Sequence, residues 1–274
     1  MNHNINIVGH RGDFYKEIEN TYESISSAFK FVDACEIDVQ FTLDKKLVLF
    51  HDEYPETLGF SLKEKVNIPI TDLTYEELQE AVFKKNILEQ SLTKKAGKSI
   101  QLKSSFPKIA LLEDLNPLLI GNKKLIVELK NFKQNLERKA RFVKEICKWI
   151  LENNFLEKIV VISFDKECLE MVRKFNSDIQ LGLDAVNAKS KNLNEEIFFC
   201  DKTKIDYLLP PMVETDKEIV EFCRKNGLKI YSWVFKENQE EEVVQVQNMI
   251  KLPVDGVIIN QPEKISKLCK KLLY

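Results

Sequence analysis

From about residue 111 onward, the chain alternates between short apolar runs rich in β-branched residues and longer amphipathic segments. The runs have the length of buried strands, and the segments repeat their apolar residues with helical spacing. Strands that alternate with helices form parallel sheets, so the sequence predicts an α/β protein. The helices predicted in this part of the chain cover residues 136–154, 166–175, 193–200, 216–226, 239–250 and 264–273.

Nine strands are predicted in all. They cover residues 5–8, 34–39, 46–51, 125–130, 158–164, 179–183, 207–209, 229–234 and 256–260. A first helix is predicted over residues 19–32, but residues 42–45 form only a short return turn, so one helix of a regular repeat is missing.

Residues 53–112 break the rhythm of strands and helices. Prolines and a glycine punctuate them, and only residues 75–85 are predicted to be helical, with Thr74 as N-cap. A long irregular insertion is typical of a lid or a binding loop. It could equally be a small helical cap that does not contact substrate.

Three of the predicted strands near the start of the chain end in polar residues. The first leads into His10 and Arg11, the second carries Glu36 and Asp38, and the third ends in His51 and Asp52. Glu36 and Asp38 lie on one side of their strand, because side chains alternate with a period of two. The first 52 residues therefore offer a base, acids and a cation for a single site.

These residues form an ordered set of motifs that resembles the glycerophosphodiester phosphodiesterase family. The set spans roughly residues 8–262, nearly the whole chain. Its members are His10-Arg11-Gly12, Glu19-Asn20-Thr21, Glu36-Ile37-Asp38, His51-Asp52, Val127-Glu128-Leu129-Lys130, Ser163-Phe164, Ser232-Trp233-Val234 and Asp255-Gly256-Val257-Ile258-Ile259.

The resemblance implies a TIM-type (β/α)8 barrel, here with an insertion after the third strand. We expect one domain over residues 1–274, interrupted by the insertion at 53–112. Because a barrel of this kind has eight strands, either one of the nine candidates lies outside it or one has been split wrongly. The sequence departs from the family pattern at Ile18 and Asn260, and it lacks an arginine-threonine pair after Asp52, which affects substrate choice more than activity.

Glu36, Asp38 and Glu128 are three carboxylates where apolar strands would otherwise carry none. Anions crowd together in a partly dry pocket only with a cation nearby, and ligand sets of oxygen alone favour Ca²⁺ or Mg²⁺. The resemblance implies the same trio as ligands of one divalent cation. Alternatively, the trio pairs with Arg11 and Lys130 in a structural ion network.

His10 and His51 match the family's catalytic pair, whereas His3 in the polar N-terminus is expected to be solvated. A zinc site is disfavoured, because barrel zinc hydrolases usually carry H-x-H on the first strand and this chain has Val8-Gly9-His10 there. Arg11 and Lys130 are suited to bind a phosphodiester anion. Trp233 is expected to line the substrate pocket or to be a plain core residue.

Two polar residues beside these motifs have roles that the sequence leaves more open. Asn20 either caps the first helix or orients a group of the site, and the capping role is slightly favoured. Asp52 is expected to orient its neighbours.

Composition narrows the remaining possibilities. A formal net charge of −2 gives no basic surface for nucleic acid, and no apolar run reaches the roughly 18 residues that a membrane span needs. The six cysteines are scattered, and the chain opens with polar residues rather than a signal peptide. We therefore expect reduced thiols and a cytoplasmic protein. The sequence leaves the oligomeric state open.

The sequence as a whole predicts metal-dependent hydrolysis of a glycerophosphodiester to glycerol 3-phosphate and an alcohol, with His10 and His51 as general acid and base. The resemblance also implies a cyclic phosphate intermediate, with His51 favoured as the first base. The alternatives are a lysophospholipase D or phospholipase that acts on larger lipids, and a catalytically inactive module that binds phosphate esters.

Overall fold

The structure, a computed structural model, describes residues 5–62, 66–85, 88–90, 93, 101, 108–130, 134–186, 193–234 and 238–273. Its main sheet is a closed barrel of eight parallel strands. In barrel order these are β1 (Asn6–His10), β2 (Ala34–Phe41), β6 (Lys124–Leu129), β7 (Ile159–Ser163), β8 (Gln180–Asp184), β9 (Tyr207–Leu209), β10 (Lys229–Trp233) and β11 (Gly256–Ile259), and β11 pairs with β1 to close the ring. The predicted barrel is confirmed.

The one predicted strand that lies outside the barrel is that at residues 46–51, which is β3 (Leu47–Leu49) in the structure. It pairs antiparallel with the far half of β2, from Val39 to Phe41, beyond the part of β2 that β1 covers. The short turn before β3 makes this hairpin possible, because antiparallel neighbours need only a tight connection. The insertion therefore enters between the second and third barrel strands.

Helices cover the outside of the barrel, and most of them begin at a side-chain cap. They are α1 (Tyr22–Ala28), α2 (Tyr75–Gln79), α3 (Leu136–Glu152), α4 (Lys166–Phe175), α5 (Leu193–Thr203), α6 (Lys217–Lys225), α7 (Gln239–Lys251) and α8 (Pro262–Leu273). Three 3₁₀ helices, at Pro55–Leu58, Ile70–Asp72 and Leu112–Leu118, lie within or just after the insertion. Within the described residues, no helix combines the length and the apolar character needed to cross a bilayer.

α1 and α2 are several residues shorter than the sequence predicts, and α3 and α6 are shorter by two. The first begins at Tyr22 rather than residue 19, because Thr21 accepts the hydrogen bond from the backbone of Ser24 and is the N-cap. α2 starts after Thr74 as predicted, with a complete capping box, but it ends at Gln79. Val82 and Phe83 then form strand β5, which pairs with β4 (Phe60–Ser61).

Besides the side chains that fill the barrel, such as Val8, Ile126 and Ile162, the described residues form two cores around it. The larger lies between the barrel and its helices and contains all six cysteines. They form no disulfide, in agreement with the predicted reduced thiols. The smaller joins the insertion to β3 and to the loop after β1. Its buried members are Phe14, Tyr15, Ile18, Val48, Phe50, Leu58, Phe60, Leu62, Ile70, Leu73, Leu78, Leu88 and Ile109. The insertion is therefore packed against the loop that carries Arg11.

Candidate active site

The predicted carboxylates converge at the carboxyl ends of two neighbouring barrel strands. β2 contributes Glu36 and Asp38, and β6 contributes Glu128, which stands beside Asp38 in the sheet register. One oxygen from each carboxylate lies within 4.8 Å of the others, and all three residues are buried. The period of two places Glu36 and Asp38 on the same, inward side of β2.

The two predicted cations reach the same cluster. Arg11 Nε lies 3.1 Å from Asp38 Oδ2, and Lys130 Nζ lies 3.1 Å from Asp38 Oδ1 and 2.7 Å from Glu128 Oε1. Without a bound ion, Asp38 and Glu128 therefore form the ion network that the sequence allowed as an alternative. Glu36 joins these contacts through Oε2 alone, which accepts from the Arg11 amide at 3.3 Å. Its Oε1 is buried and has no hydrogen-bond partner among the described residues.

The charges of the cluster fit a divalent cation. Among the described residues, four buried or nearly buried carboxylates, those of Glu19, Glu36, Asp38 and Glu128, are balanced in this cluster by two cations, Arg11 and Lys130. Burial and then the neighbouring Asp38 and Glu128 raise the pKa of Glu36 well above its usual range. Burial acts in the same direction on Asp38, but Lys130 and Arg11 outweigh it and hold the pKa of Asp38 well below its usual range. Oxygen ligands with excess negative charge are the donor set that Mg²⁺ and Ca²⁺ prefer.

Local backbone geometry positions Arg11. Its φ angle is 53°, and its amide donates to the Glu36 carbonyl at 2.9 Å, which ties the first loop to β2. Gly12 follows with φ 93°, and a Cβ there would lie 2.4 Å from Ser24 Oγ. Only glycine fits this turn, which explains the glycine after His10-Arg11. Glu19 Oε1 accepts a hydrogen bond from Arg11 Nη1 at 2.9 Å and fixes the guanidinium.

Asn20 orients a site carboxylate, so the favoured prediction that it caps the first helix is wrong. Its Nδ2 donates to Asp38 Oδ2 at 2.8 Å, and its Oδ1 accepts from the Asp38 amide at 3.0 Å. Asn20 is buried and has φ 55°, a backbone conformation that asparagine tolerates better than most residues. The capping role belongs to the next residue, Thr21.

The two histidines have different partners. His10 Nδ1 donates to Asn260 Oδ1 at 2.7 Å, and burial followed by the charge of Arg11 lowers the pKa of His10 to about 3. His51 Nδ1 donates to Asp52 Oδ1 at 2.7 Å, and this hydrogen bond lowers the pKa of Asp52 to about 2. His10 is therefore neutral, with Nε2 free of a proton, whereas the hydrogen-bond partner of His51 is the Asp52 carboxylate. His3 lies outside the described residues.

Gln40 holds the loop that carries His51. Its Nε2 donates to the carbonyl oxygens of Phe50, at 2.9 Å, and Asp52, at 2.6 Å. Gln40 is two residues beyond Asp38 on the same face of β2. The sequence analysis missed this role, although the period of two that linked Glu36 and Asp38 extends to Gln40.

The opposite side of the barrel mouth is aromatic. Trp233, at the end of β10, is half-buried, packs against the side chains inside the barrel and donates from Nε1 to the Leu209 carbonyl at 2.9 Å. Its ring meets that of Phe164 edge to face, with centroids 6.5 Å apart. Trp233 thus contacts the core from the end of β10. Its role in lining a substrate pocket stays a prediction.

Asp184, the last residue of β8, is a buried carboxylate that the sequence analysis missed. Burial and then the charge of Glu128 raise the pKa of Asp184 well above its usual range, and Lys130 acts in the opposite direction. The Asp184 side chain therefore lies near Glu128 and Lys130. A single aspartate at a strand end carries little signal in sequence. Only the closure of the barrel brings it to face the other acids.

Comparisons with known proteins identify the family of the chain. Residues 10–264 match the model of the glycerophosphoryl diester phosphodiesterase family. A glycerophosphodiester phosphodiesterase from Caldanaerobacter subterraneus subsp. tengcongensis is 28% identical over 270 residues, which cover 97% of this chain and 98% of the relative. One from Bacillus altitudinis is 24% identical over 275 residues, with 97% and 98% covered.

Solved structures of similar fold cover nearly the whole chain as well. A putative glycerophosphoryl diester phosphodiesterase from Silicibacter pomeroyi has a TM-score of 0.83 at 17% identity, with 98% of this chain and 94% of that chain covered. A phosphodiesterase from Oleispira antarctica, solved with its product sn-glycerol-3-phosphate, has a TM-score of 0.75 at 16% identity, with 97% and 96% covered. The chain is therefore a member of the glycerophosphoryl diester phosphodiesterase family, the enzyme class that its motifs predicted.

Proposed function

We propose that this protein hydrolyses glycerophosphodiesters to glycerol 3-phosphate and an alcohol, with the help of one divalent cation, Mg²⁺ or Ca²⁺. The observation that carries this proposal is the convergence of three carboxylates, two cations and two histidines at one end of the barrel. The names of the relatives, and the product bound by the Oleispira enzyme, support the same substrate class.

Glu36, Asp38 and Glu128 would hold the cation. When bound, it would supply Lewis-acid neutralisation of charge on the phosphoryl oxygens. Arg11 and Lys130 bind the remaining phosphoryl oxygens, Arg11 through its planar fork and Lys130 as a point charge. Glu19 and Asn20 keep this arrangement in place by holding Arg11 and Asp38.

The nucleophile of the first step is the substrate's own glycerol hydroxyl next to the phosphate. An internal nucleophile of this kind gains roughly 7–11 kcal/mol from proximity. The hydroxyl loses its proton to one histidine and attacks phosphorus, while the bond from phosphorus to the alcohol oxygen breaks and the other histidine protonates that oxygen. The product of this step is a cyclic phosphate. Water then opens it, with the two histidines in exchanged roles.

The hydrogen-bond partners favour His10 as the first base and His51 as the first acid, the reverse of the assignment favoured by sequence. His10 donates from Nδ1 to a neutral amide, so Nε2 is a proton acceptor. With His10 as the base, His51 is the acid, and its Nδ1 is held by the Asp52 carboxylate.

We also propose that residues 1–274 form a single domain, in which the insertion at 53–112 helps to select the substrate. In support, the described part of the insertion shares a core with Phe14 and Tyr15, in the loop that follows Arg11. Residues of the insertion that pack in this core therefore also position the loop that follows Arg11.

A substrate panel with and without chelator tests the proposed function. It contains glycerophosphoethanolamine, glycerophosphocholine, glycerophosphoglycerol and lysophosphatidylcholine. We expect release of glycerol 3-phosphate from the first three, which stops after dialysis against chelator and returns with Mg²⁺ or Ca²⁺. Preference for the lysophospholipid would favour the lysophospholipase D alternative. Tight binding of glycerol 3-phosphate without turnover of any substrate would indicate an inactive module.

A further inference from the structure

The barrel mouth is divided into two halves of different chemistry. The half formed by β1, β2 and β6 carries the groups assigned to the phosphate and the metal. The half formed by β7 to β10 carries Phe164, Asp184 and Trp233. No step of the proposed reaction uses Asp184, and this leaves a buried carboxylate beside the site without a role.

Asp184 points into the barrel. Gly182, two residues earlier on the same face, lies against the interior, since a Cβ there would meet side chains of Leu209 and Ile162 at 2.6 and 2.9 Å. Asp184 follows on that face by the period of two. Its side chain is thus directed at the mouth, one layer beyond the residues that fill the barrel.

The Asp184 carboxylate is incompletely satisfied. The residue is only 7% exposed, and Oδ2 is buried without a hydrogen-bond partner in the part of the chain that the structure describes. A buried carboxylate of this kind is costly unless a cation or a donor meets it. Arg11 and Lys130 make their close ion pairs with other carboxylates, so among the site's cations neither is paired with Asp184.

Two aromatic rings meet at the barrel mouth across the end of the strand that carries Asp184. Phe164 follows β7 and Trp233 ends β10, so their contact bridges the ends of β8 and β9 that lie between them. Trp233 is also hydrogen-bonded to the end of β9, the strand next to Asp184. Phe164 is 47% exposed, which leaves much of its side chain open to a ligand. Aromatic faces next to a carboxylate are a favourable environment for an organic cation.

From these contacts we infer that Asp184, Phe164 and Trp233 bind the leaving alcohol and select alcohols that carry a cationic nitrogen, such as ethanolamine or choline, over neutral ones. This inference rests on the proposed function and deepens it. A zwitterionic substrate matches the mouth, because its phosphate faces Arg11 and Lys130 while its ammonium faces Asp184. A primary ammonium would also donate a hydrogen bond to the free oxygen of Asp184, so ethanolamine depends on this residue more than choline does.

The test compares kcat/KM for glycerophosphoethanolamine and glycerophosphocholine with kcat/KM for the neutral glycerophosphoglycerol. In the Asp184→Asn variant, we expect the ratio of ethanolamine to glycerol substrate to fall about 10–100-fold, the usual effect of losing a contact between charged partners. The control is Asp178→Asn, the same change at an exposed aspartate just before β8. It removes the same charge from the protein and should leave the ratio unchanged.

A second variant makes the test independent of the folding of Asp184→Asn. Phe164→Leu replaces a half-exposed ring with an apolar side chain and should lower the ratio of choline to glycerol substrate by about 2–10-fold, because the cation–π contact is lost. Equal losses on all substrates would mean that Asp184 only positions the catalytic groups and would overturn the inference, as would unchanged ratios. If the wild type hydrolyses no glycerophosphodiester, the proposed function fails and the inference with it. Activity with unchanged ratios removes the inference alone.

Discussion

His10 and Asn260, 250 positions apart in the chain, are joined by a hydrogen bond of 2.7 Å between imidazole Nδ1 and the amide oxygen. β1 and β11 are the strands that close the barrel, so the contact exists only in the closed ring. Asn260 is itself buried, and its backbone amide donates to Glu242. This neutral partner orients His10, and burial and the charge of Arg11 lower the pKa of His10 by more than the hydrogen bond to Asn260 raises it.

The neutral state of His10 predicts a loss of stability in acid. The pKa of His10 is 6.5 in an unfolded chain and about 3 in the fold, so the unfolded state binds the proton first. The stability contribution is complete above pH 6.5 and is lost as the pH falls toward 3. In urea titrations with chelator, the unfolding free energy of the wild type should fall between pH 6.5 and pH 5. The fall should exceed that of His10→Gln by up to about 2 kcal/mol. If the unfolding free energies of the two proteins depend on pH in the same way, the pKa of His10 is not lowered in the fold.

A carboxylate in place of Asn260 should change the pH dependence of catalysis. In Asn260→Asp, the new charge favours the imidazolium and raises the pKa of His10. The acid limb of the kcat/KM profile should therefore move to higher pH. Asn226→Asp, at the exposed end of α6, is the matched control and should leave the profile in place. An unmoved acid limb in Asn260→Asp would argue against His10 as a base.

A nitrophenyl leaving group should separate the two histidines, because nitrophenolate leaves without a proton. With glycerophospho-nitrophenol, His51→Ala should release nitrophenol at nearly the wild-type rate and accumulate cyclic phosphate. His10→Ala should be slower by about 10²–10⁴-fold, the usual contribution of a general base. The converse pattern would restore His51 as the first base. Rapid hydrolysis of bis-nitrophenyl phosphate, which has no glycerol hydroxyl, would contradict an internal nucleophile.

Glu36 should be needed for metal binding and not for folding. In Glu36→Gln, calorimetric titration should show Mg²⁺ or Ca²⁺ affinity reduced by more than about 100-fold, because loss of an outer partner alone costs 10–100-fold. Its unfolding free energy in chelator should not decrease, because glutamine keeps an oxygen that can accept from the Arg11 amide, as Glu36 Oε2 does. The other oxygen, Oε1, has no hydrogen-bond partner among the described residues. Glu152→Gln, at an exposed position on α3, should change neither quantity. Full activity after dialysis against excess chelator would refute the metal requirement.

The small core should make the insertion important for stability. Leu73 is fully buried there, so Leu73→Ala should lower the unfolding free energy by about 2–5 kcal/mol. Val66→Ala, at a position 67% exposed, is the control and should have little effect. If Leu73→Ala also reorders the substrate panel, the insertion contributes to substrate choice. An unchanged order in the folded variant would assign it a structural role only.

Local sequence determined the features that depend on short-range periodicity. The strands, most helices, and the placement of Glu36 and Asp38 on one face of β2 all follow from apolar spacing and from the alternation of side chains. The cap of α2 at Thr74 is also a local feature, because a threonine just before a helical segment is a start signal for the helix. The resemblance extended this local information to Glu128, Lys130 and Trp233, which lie far apart in the chain.

The tertiary structure alone decided what depends on the closure of the barrel and on competition between neighbours. It placed β3 outside the ring, because β3 pairs with the part of β2 that β1 leaves open. It made Asn20 a hydrogen-bond partner of Asp38, because Thr21 is the N-cap of the first helix. It also brought Asn260 to His10 and turned Asp184 toward the acids of β2 and β6. Such contacts join residues from distant strands, and local periodicity cannot specify them because it carries no information about which strand ends meet.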